Sequence, residues 1–248
     1  MNKQLIAALV LGLSASTGAH ASLIARVGGM VYDDVNNITW AANANLFATQ
    51  AAGNSNLVSE IIAANGGVIH DTPNDYDTVP NTGAYTLTVA DFNTDTGQMT
   101  WWGAQAWVSN LTLGGLKGWS LPATADAANP NNYGYNITTS QMGDLFYNQL
   151  GGLAPTDLSA NHNANYNLFS NVQDSLYWSS SEYTLDPRFA WYFVNHQGYQ
   201  YDLNKYFQVY AWAVHVGDVT AVPLPGVVWL FGSAMLGLMG FNRRGNLG

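Results

Sequence analysis

The segment Leu-Tyr-Trp-Ser-Ser-Ser-Glu-Tyr at residues 176–183 opens a series of predicted strands that decides the fold class of this chain. Residues 189–195 are apolar on both faces, which is typical of a strand that is buried on both sides. His196 begins a turn into a strand at residues 199–203, and residues 207–216 are expected to close the same sheet. Because the strands are joined by short turns, the sheet is predicted to be antiparallel.

Two helices are predicted ahead of this sheet. Residues 99–111 place apolar side chains, several of them tryptophans, close to one stripe, and a glycine-rich segment follows. A second helix is expected to begin at a capping box formed by Thr138 and Gln141, and its apolar stripe extends to Leu150. Helices followed by an antiparallel sheet predict an α+β domain at residues 99–217.

The preceding part of the chain, residues 22–98, is predicted to hold short elements separated by polar loops. These elements are two strands within residues 24–40 joined by a turn at Asp33 and Asp34, helices at residues 43–52 and 56–65, a surface loop at residues 70–83, and a strand at residues 85–90.

A calcium loop is the alternative reading of the next few residues. Asp91, Asn93 and Asp95 have the spacing of the first three oxygen ligands in such a loop. The sixth position is Thr96 instead of glycine, however, and the twelfth is Trp102 instead of a bidentate acid. An ordinary turn is therefore expected, and no metal site is predicted.

Residues 222–244 form a distinct C-terminal segment. It reads Val222, Pro223, Leu224, Pro225, then an uncharged and mostly apolar run at residues 226–241, then Asn242, Arg243 and Arg244. As a helix this run would be ~24 Å long, slightly short of the ~30 Å hydrocarbon core of a bilayer. It is predicted to be a transmembrane helix with the arginines on the cytoplasmic side. A buried core helix is the alternative, but the run has no polar face.

The Pro-x-Pro box, the apolar run and the arginine pair resemble the PEP-CTERM sorting signal of Gram-negative bacteria. The resemblance implies a transient inner-membrane anchor that an exosortase, a membrane protease, cuts near Pro223 and Pro225. It also implies a final location at the cell surface or in the extracellular matrix. Leu224 stands where the name-giving motif has glutamate, which leaves the exosortase subtype open.

The N-terminal segment also indicates export. Lys3 precedes an apolar run at residues 5–13, and Ala19 and Ala21 form a small-x-small cleavage site before Ser22. Residues 1–21 are therefore predicted to be a signal peptide that the secretion machinery recognises. An uncleaved anchor is the alternative, but the apolar run is too short to span a bilayer.

Composition limits the partners of the predicted mature segment, residues 22–222. All sixteen acidic residues lie in it, and its basic residues are Arg26, Lys117, Arg188 and Lys205. Such a surface repels phosphate groups, so no nucleic-acid partner is expected. Because the chain has no cysteine, disulfides and thiol catalysis are excluded. The many aromatic and amide side chains suit sugar binding, and equally suit a core that packs aromatic rings.

The order of motifs in residues 99–217 resembles the Lcl C-terminal domain family, often labelled a domain of unknown function. The shared motifs are an aromatic helix, Gly118-Trp119-Ser120-Leu121-Pro122, a second helix, Tyr177-Trp178-Ser179-Ser180, Ala190-Trp191, and a last strand near His215. The resemblance implies a C-type-lectin-like fold, glycan or matrix binding in a few members, and no established catalysis in most. Ser120 and His215 stand where the usual pattern has arginine, so two charges that could hold an anionic glycan are missing.

Enzymatic alternatives rest on few residues. The serines at residues 179–181 could form a triad with His196 or His215 and Asp186, but they lack a glycine-flanked elbow. Glu182 and Asp186 could be the carboxylate pair of a glycosidase, although four residues in a turn fix no separation. The histidines show no metal-ligand spacing. Neither an enzymatic activity nor a cofactor is predicted.

The sequence therefore predicts an exported, non-enzymatic surface or matrix protein that binds a glycan or exopolysaccharide. A purely structural matrix protein without a ligand site is the alternative, followed by a secreted glycan-active hydrolase. Exposed aromatic rings would favour the first function, because a sugar site needs accessible rings surrounded by polar side chains. Trp101, Trp102 and Tyr133 are the predicted exposed glycan contacts. The predicted core tryptophans are Trp119, Trp178, Trp191 and Trp212.

Overall fold

The structure is a computed structural model that describes residues 23–124, 129 and 132–219. Its strands are β1 (Leu23–Arg26), β2 (Met30–Asp33), β3 (Ile38–Ala41), β4 (Val68–His70), β5 (Ala84–Thr86), β6 (Gly134–Tyr135), β7 (Leu176–Glu182), β8 (Phe189–Val194), β9 (Tyr199–Asn204) and β10 (Val214–Val216). Its α-helices are α1 (Leu46–Gly53), α2 (Leu57–Ala64), α3 (Trp101–Asn110) and α4 (Gln141–Asp144), which continues as a π-helical turn at Leu145–Gln149. Short 3-10 turns lie at Val89–Asp91 and Ala164–Leu168.

The antiparallel sheet predicted from residues 176–203 is present. β7, β8 and β9 pair in succession, and β6 adds to the free edge of β9, which gives the order β6-β9-β8-β7. The middle strand β8 is buried at most positions on both faces, as its continuous apolar sequence predicts. Together with the four helices, this antiparallel sheet confirms the α+β class.

The expectation that residues 207–216 close this sheet is wrong. After β9 the chain makes single bridges from Val209 to Met99 and from Tyr210 to Tyr177, and then leaves the sheet. β10 instead pairs antiparallel with β3, where Val214 lies opposite Trp40, and completes a second sheet in the order β1-β2-β3-β10. The second sheet therefore combines the first described strands of the chain with the last one.

Among the N-terminal elements, the stretch before Asp33 differs from the prediction, whereas the first two helices agree with it. The apolar stretch before Asp33 is two strands, because Gly28 and Gly29 have positive φ angles and turn the chain between β1 and β2. The turn after β2 is stabilised by Asp33, whose Oδ1 accepts hydrogen bonds from the backbone N–H groups of Val35 and Asn36. Helices α1 and α2 lie where the apolar spacing predicts them.

Three local predictions are corrected by hydrogen bonding. Helix α4 is capped by Ser140, whose Oγ accepts a hydrogen bond from Gly143 N, and not by Thr138. The strand predicted at residues 85–90 ends early, because Thr88 and Asp91 form a capping box that starts a 3-10 turn. The loop at residues 70–83 is not entirely a surface loop, since the Asp77 carboxylate is buried and accepts a hydrogen bond from Gly83 N.

The core is one cluster of apolar side chains that includes residues from both predicted segments of the mature chain. Its largest fully buried members are Trp40, Trp102, Trp107, Trp178 and Trp212, and Trp191 is fully buried outside this cluster. Trp119 is also buried, so the four tryptophans predicted to be core residues are confirmed as such. Aromatic rings thus fill the space between α3, the two sheets and the loop at residues 71–83.

Two predicted segments lie outside the described residues. They are the signal peptide at residues 1–21 and the sorting signal at residues 222–244 with its transmembrane helix at residues 226–241. Among the residues that the structure does describe, no helix has the length and apolarity needed to cross a bilayer.

Candidate functional site

The prediction that Trp101 and Trp102 are exposed glycan contacts is wrong. Their side chains are 3% and 0% exposed, respectively. The Trp102 ring stacks on Tyr85 with centroids 3.8 Å apart, and its Nε1 donates a 2.8 Å hydrogen bond to Asp71 Oδ2. The Trp101 Nε1 donates to the backbone oxygen of Ser179 on β7. The first turn of α3 is therefore enclosed between the loop after β4 and the sheet.

The two tryptophans cover a fully buried lysine. Lys205 Nζ lies 2.6 Å from Asp71 Oδ2, 2.8 Å from Glu182 Oε2 and 4.5 Å from the centroid of the Trp101 ring. The side chains of Lys205 and Asp71 are both 0% exposed. We call these five residues the lysine cluster. It connects the end of β9 to the loop after β4 and to β7.

Burial dominates the electrostatics of the lysine cluster. Desolvation raises the pKa of the Asp71 carboxyl above its ordinary value, and the hydrogen bond and charge of Lys205 oppose that shift without cancelling it. Glu182 is less deeply buried, and its Oε1 accepts hydrogen bonds from Thr72 N and Thr72 Oγ1. The cluster therefore holds the Asp71 carboxyl in surroundings that disfavour its charged form.

Tyr133 belongs to a different feature, a row of tyrosines at the β6–β9 edge of the sheet. We define the tyrosine surface as Tyr133, Tyr135, Tyr183, Tyr199 and Tyr201. Its ring centroids are separated by 4.9 Å between Tyr133 and Tyr201, by 5.9 Å between Tyr201 and Tyr199, and by 4.9 Å between Tyr199 and Tyr135. The hydroxyl of Tyr183 reaches that of Tyr133 at 3.5 Å. The row is continuous from one end to the other.

The strand register produces this row. Tyr199 and Tyr201 are two residues apart on β9, so both side chains point to the same face, and Tyr135 lies directly opposite Tyr199 on β6. Tyr135 is 45% exposed and Tyr201 is 39% exposed, because β6 is a short edge strand and nothing else among the described elements pairs with it. The alternation at residues 199–201 was the sequence signal that could have identified this face.

Two hydroxyl groups of the tyrosine surface, those of Tyr183 and Tyr201, are held in the uncharged form at neutral pH. The hydrogen bond between the Tyr183 and Tyr133 hydroxyls raises the pKa of Tyr183 to about 12, and the charge of Asp202 raises the pKa of Tyr201. Each hydroxyl can therefore donate and accept hydrogen bonds. The surface offers apolar ring faces beside neutral polar groups.

Two buried polar atoms below the row have no hydrogen-bond partner. Trp191 packs against Tyr133 and Tyr183 with centroid distances of 5.6 Å and 5.7 Å, and its Nε1 is unpartnered. Gln200, which is 1% exposed, donates from Nε2 to the Asn132 backbone oxygen, whereas its Oε1 is unpartnered. Such groups carry a cost that is rarely left unrelieved in folded proteins.

The residues of the proposed triad have other partners. The hydroxyl of Ser179 accepts a 2.9 Å hydrogen bond from Thr124 Oγ1, and the hydroxyl of Ser181 donates to the Thr124 backbone oxygen. The ring of His215 contacts the backbone oxygens of Val216 and Lys117. The serines and this histidine are thus engaged in separate structural contacts.

The carboxylates considered for glycoside hydrolysis are also separately paired. Glu182 contacts Lys205, whereas Asp186 forms a 2.6 Å ion pair with Arg188. The hydrogen bond from Arg188 lowers the pKa of Asp186, which is the opposite of what a general acid needs.

The residues of the considered calcium loop serve as turn residues. The Asp91 carboxylate accepts hydrogen bonds from Thr88 N, Tyr85 Oη and Thr100 Oγ1. Asn93 Oδ1 accepts hydrogen bonds from the backbone N–H groups of Asp95 and Thr96. Within the described part of the chain, no group of three or more histidine or carboxylate side chains is arranged to hold a metal ion.

Comparison of the chain with known protein families, with curated proteins and with solved structures finds no match.

Proposed function

We propose that this is an exported cell-surface or extracellular-matrix protein whose folded domain binds an uncharged glycan, such as a neutral exopolysaccharide, along the tyrosine surface. The observation that carries the proposal is the continuous row of tyrosines at an open sheet edge. Four of its rings, those of Tyr133, Tyr201, Tyr199 and Tyr135, lie 4.9 to 5.9 Å apart, and Tyr183 joins them through its hydroxyl, 3.5 Å from that of Tyr133. An extended row suits a chain-like ligand better than a small molecule in a closed pocket.

The chemistry of the tyrosine surface matches that of a neutral sugar. The C–H faces of a sugar pack on aromatic rings, and its hydroxyl groups exchange hydrogen bonds with phenolic hydroxyls. Asp202 lies next in sequence to Tyr201, and the whole chain carries a formal charge of −9. A polyanionic glycan would be repelled by these charges, so an uncharged chain is the better ligand.

The proposal includes the export and sorting of the protein that the sequence predicts. The signal peptide at residues 1–21 and the PEP-CTERM-like tail at residues 222–244 support a route through the secretion machinery and an exosortase to the surface. The C-type-lectin-like fold suggested by the Lcl resemblance belongs to the same proposal, supported by the antiparallel sheet with helices packed beside it.

The test is binding of the purified full chain to an array of neutral and acidic polysaccharides, followed by titration of the best ligand. Tyr201→Ala and Tyr135→Ala should each weaken binding at least tenfold, because each removes an exposed ring from the row. Tyr206→Ala is the matched control, since Tyr206 is 50% exposed but contacts Tyr76 and Phe207 instead of the row. Equal loss in all three variants, or no binding by the wild type, would refute the proposal.

A purely structural matrix protein is the second candidate. The observation that favours it is the burial of every tryptophan in the described residues, because rings of this size would dominate an exposed sugar site. For such a protein the array would show no ligand, and the tyrosine surface variants would behave like the wild type.

A further inference from the structure

We propose that Lys205 and Asp71 react to form an intramolecular isopeptide bond, with Glu182 transferring the proton during the reaction. The structure places Lys205 Nζ 2.6 Å from Asp71 Oδ2. This inference concerns a covalent modification and is independent of the proposed function.

Geometry is the first support. An amine at hydrogen-bond distance from a carboxyl oxygen is also within reach of the carboxyl carbon, which is the atom it must attack. Both side chains are fully buried, so neither can move away into solvent. Glu182 Oε2 lies 2.8 Å from the same Nζ and therefore touches the reacting atom.

The surroundings favour the neutral carboxyl group that the reaction needs. A charged amine and a charged carboxylate do not condense, whereas a neutral amine is a nucleophile and a protonated carboxyl is an acceptable electrophile. Burial disfavours the charged form of the Asp71 carboxyl. The pKa of Asp71 is raised by desolvation, in line with this expectation.

The reaction balances within the three side chains. Glu182 accepts a proton from the lysine ammonium, and the freed electron pair of Nζ bonds to Cγ of protonated Asp71. The carbonyl electron pair moves to oxygen and returns as the C–O bond to the hydroxyl breaks. Glu182 gives its proton to that hydroxyl, which leaves as water. Glu182 then accepts a second proton from the nitrogen and releases it to solvent, which returns Glu182 to its charged form. The products are one amide bond and one water molecule, without oxidant or cofactor.

The tryptophans complete the site. Trp102 Nε1 donates a 2.8 Å hydrogen bond to Asp71 Oδ2, the oxygen on which negative charge develops when the amine attacks. Trp101 covers Nζ with its ring at 4.5 Å. Because both rings are buried, they keep bulk water from hydrolysing the amide once it has formed.

The bond would add a covalent link between the loop after β4 and the end of β9. Lys205 and Asp71 are 134 residues apart, so the amide would close a large loop and restrict the unfolded chain. The chain has no cysteine with which to form a disulfide. An amide also survives reducing conditions, which a disulfide does not.

The experiment compares the intact masses of two full-length variants, Lys205→Arg and Lys117→Arg, under denaturing conditions. The two variants have identical compositions, and Lys117 lies far from the cluster in sequence, in the turn before Trp119. Any trimming of the termini affects both equally. We expect Lys117→Arg to be lighter than Lys205→Arg by the mass of one water molecule. Equal masses would overturn the proposal.

Proteolysis of the wild type then locates the bond without relying on any variant to fold. A branched peptide that joins the segment around Asp71 to the segment around Lys205 is the expected product, and a water loss mapped elsewhere would overturn the proposal. Glu182→Gln keeps the size of the side chain but removes the base. We expect most molecules of this variant to keep the unreacted mass, without loss of water, after the same time of incubation. A complete reaction would show that Glu182 is not needed for the mechanism.

Discussion

The indole Nε1 of Trp212 donates a 2.7 Å hydrogen bond to the backbone oxygen of Ala41, and the Ala41 N–H donates in turn to the backbone oxygen of Ala213. The rings of Trp212 and Trp40 also meet edge to face at 5.4 Å. These contacts tie the segment that precedes β10 to β3 at the start of the chain. The domain predicted at residues 99–217 therefore shares its core and one sheet with residues 23–98.

A fragment containing residues 99–217 is expected not to fold by itself. It would lack β3, the partner of β10, and would expose Trp212 and the face of α3 that packs on α2. Circular dichroism and a denaturant titration check this expectation, with residues 23–219 as the control. A cooperative transition of the fragment with near-native stability would show that the N-terminal elements are not needed for folding.

Local patterns were sufficient for most elements. Glycine turns and apolar periodicity predicted α1, α2 and α3, and the short turns between residues 176 and 204 predicted their antiparallel strands. The partner of β10 could not be predicted in this way. Strand alternation shows that Val214 has a buried face, but an antiparallel edge was available in either sheet, and the choice depends on how Trp212 packs.

For the candidate sites, too, local sequence patterns predicted some features, whereas contacts between distant segments could not be predicted. Helical spacing indicated that Trp101 lies on an apolar stripe, but it does not show what covers the remaining side of a helix. Here a polar loop folds over that side and brings Asp71 onto Lys205. Nothing local to Asp71, Glu182 or Lys205 indicates that three separate segments meet. The tyrosine surface was missed except for Tyr133, because its partners come from three strands or strand ends.

Replacing Trp178 by Phe is expected to destabilise the fold more than replacing Trp191 by Phe, by about 1 kcal/mol. Both changes remove a similar volume from the core. Trp178 Nε1 loses a 2.9 Å hydrogen bond to the Met99 backbone oxygen, whereas the Trp191 Nε1 has no partner to lose. Urea titration of both variants measures the difference.

The corresponding alanine variants set the scale for that comparison. Trp178→Ala and Trp191→Ala should each cost about 3 to 5 kcal/mol, since both rings are fully buried. If Trp191→Phe proved as costly as Trp178→Phe, the indole N–H of Trp191 would have a partner in solution, such as an ordered water.

Stability should fall steeply as the pH rises above 10. Burial raises the pKa of Tyr192 from 10.0 to about 12, and it also raises the pKa values of Tyr85 and Tyr177. Each of these groups stabilises the folded state fully below the unfolded pKa, and that contribution is lost as the pH rises through the folded pKa. Thermal melts between pH 9 and pH 12, with about half-unit steps, measure the loss.

Tyr192→Phe is the matched control for this pH dependence, because it keeps the ring and removes the titrating hydroxyl. The melting temperature of the variant should decline less than that of the wild type between pH 10 and pH 12. Parallel declines in the two proteins would mean that Tyr192 ionises as readily in the folded state as in the unfolded state.

Replacing Arg243 and Arg244 by Glu is expected to leave the exported protein misoriented or unprocessed at its C-terminus. The apolar run at residues 226–241 is only marginally long enough for a bilayer, which suits a temporary anchor, and the two arginines supply its positive-inside signal. Pro223 and Pro225 disfavour helix ahead of the run and leave an extended segment for a protease. Cell fractionation of the native host, with an immunoblot against the folded domain, follows the outcome.

Mass spectrometry of the mature wild-type protein provides the decisive comparison for the tail. If an exosortase cuts near Pro223, wild-type protein at the surface should have a mature C-terminus close to that residue. The variant with glutamates at positions 243 and 244 should keep its tail. Arg188→Glu is the control, because it reverses a charge at an exposed position that precedes the tail by many residues in the sequence, and it should be processed normally. Surface material that still ends at Gly248 would mean that the tail is a permanent membrane anchor, since a sorting signal that is read by the protease cannot remain attached.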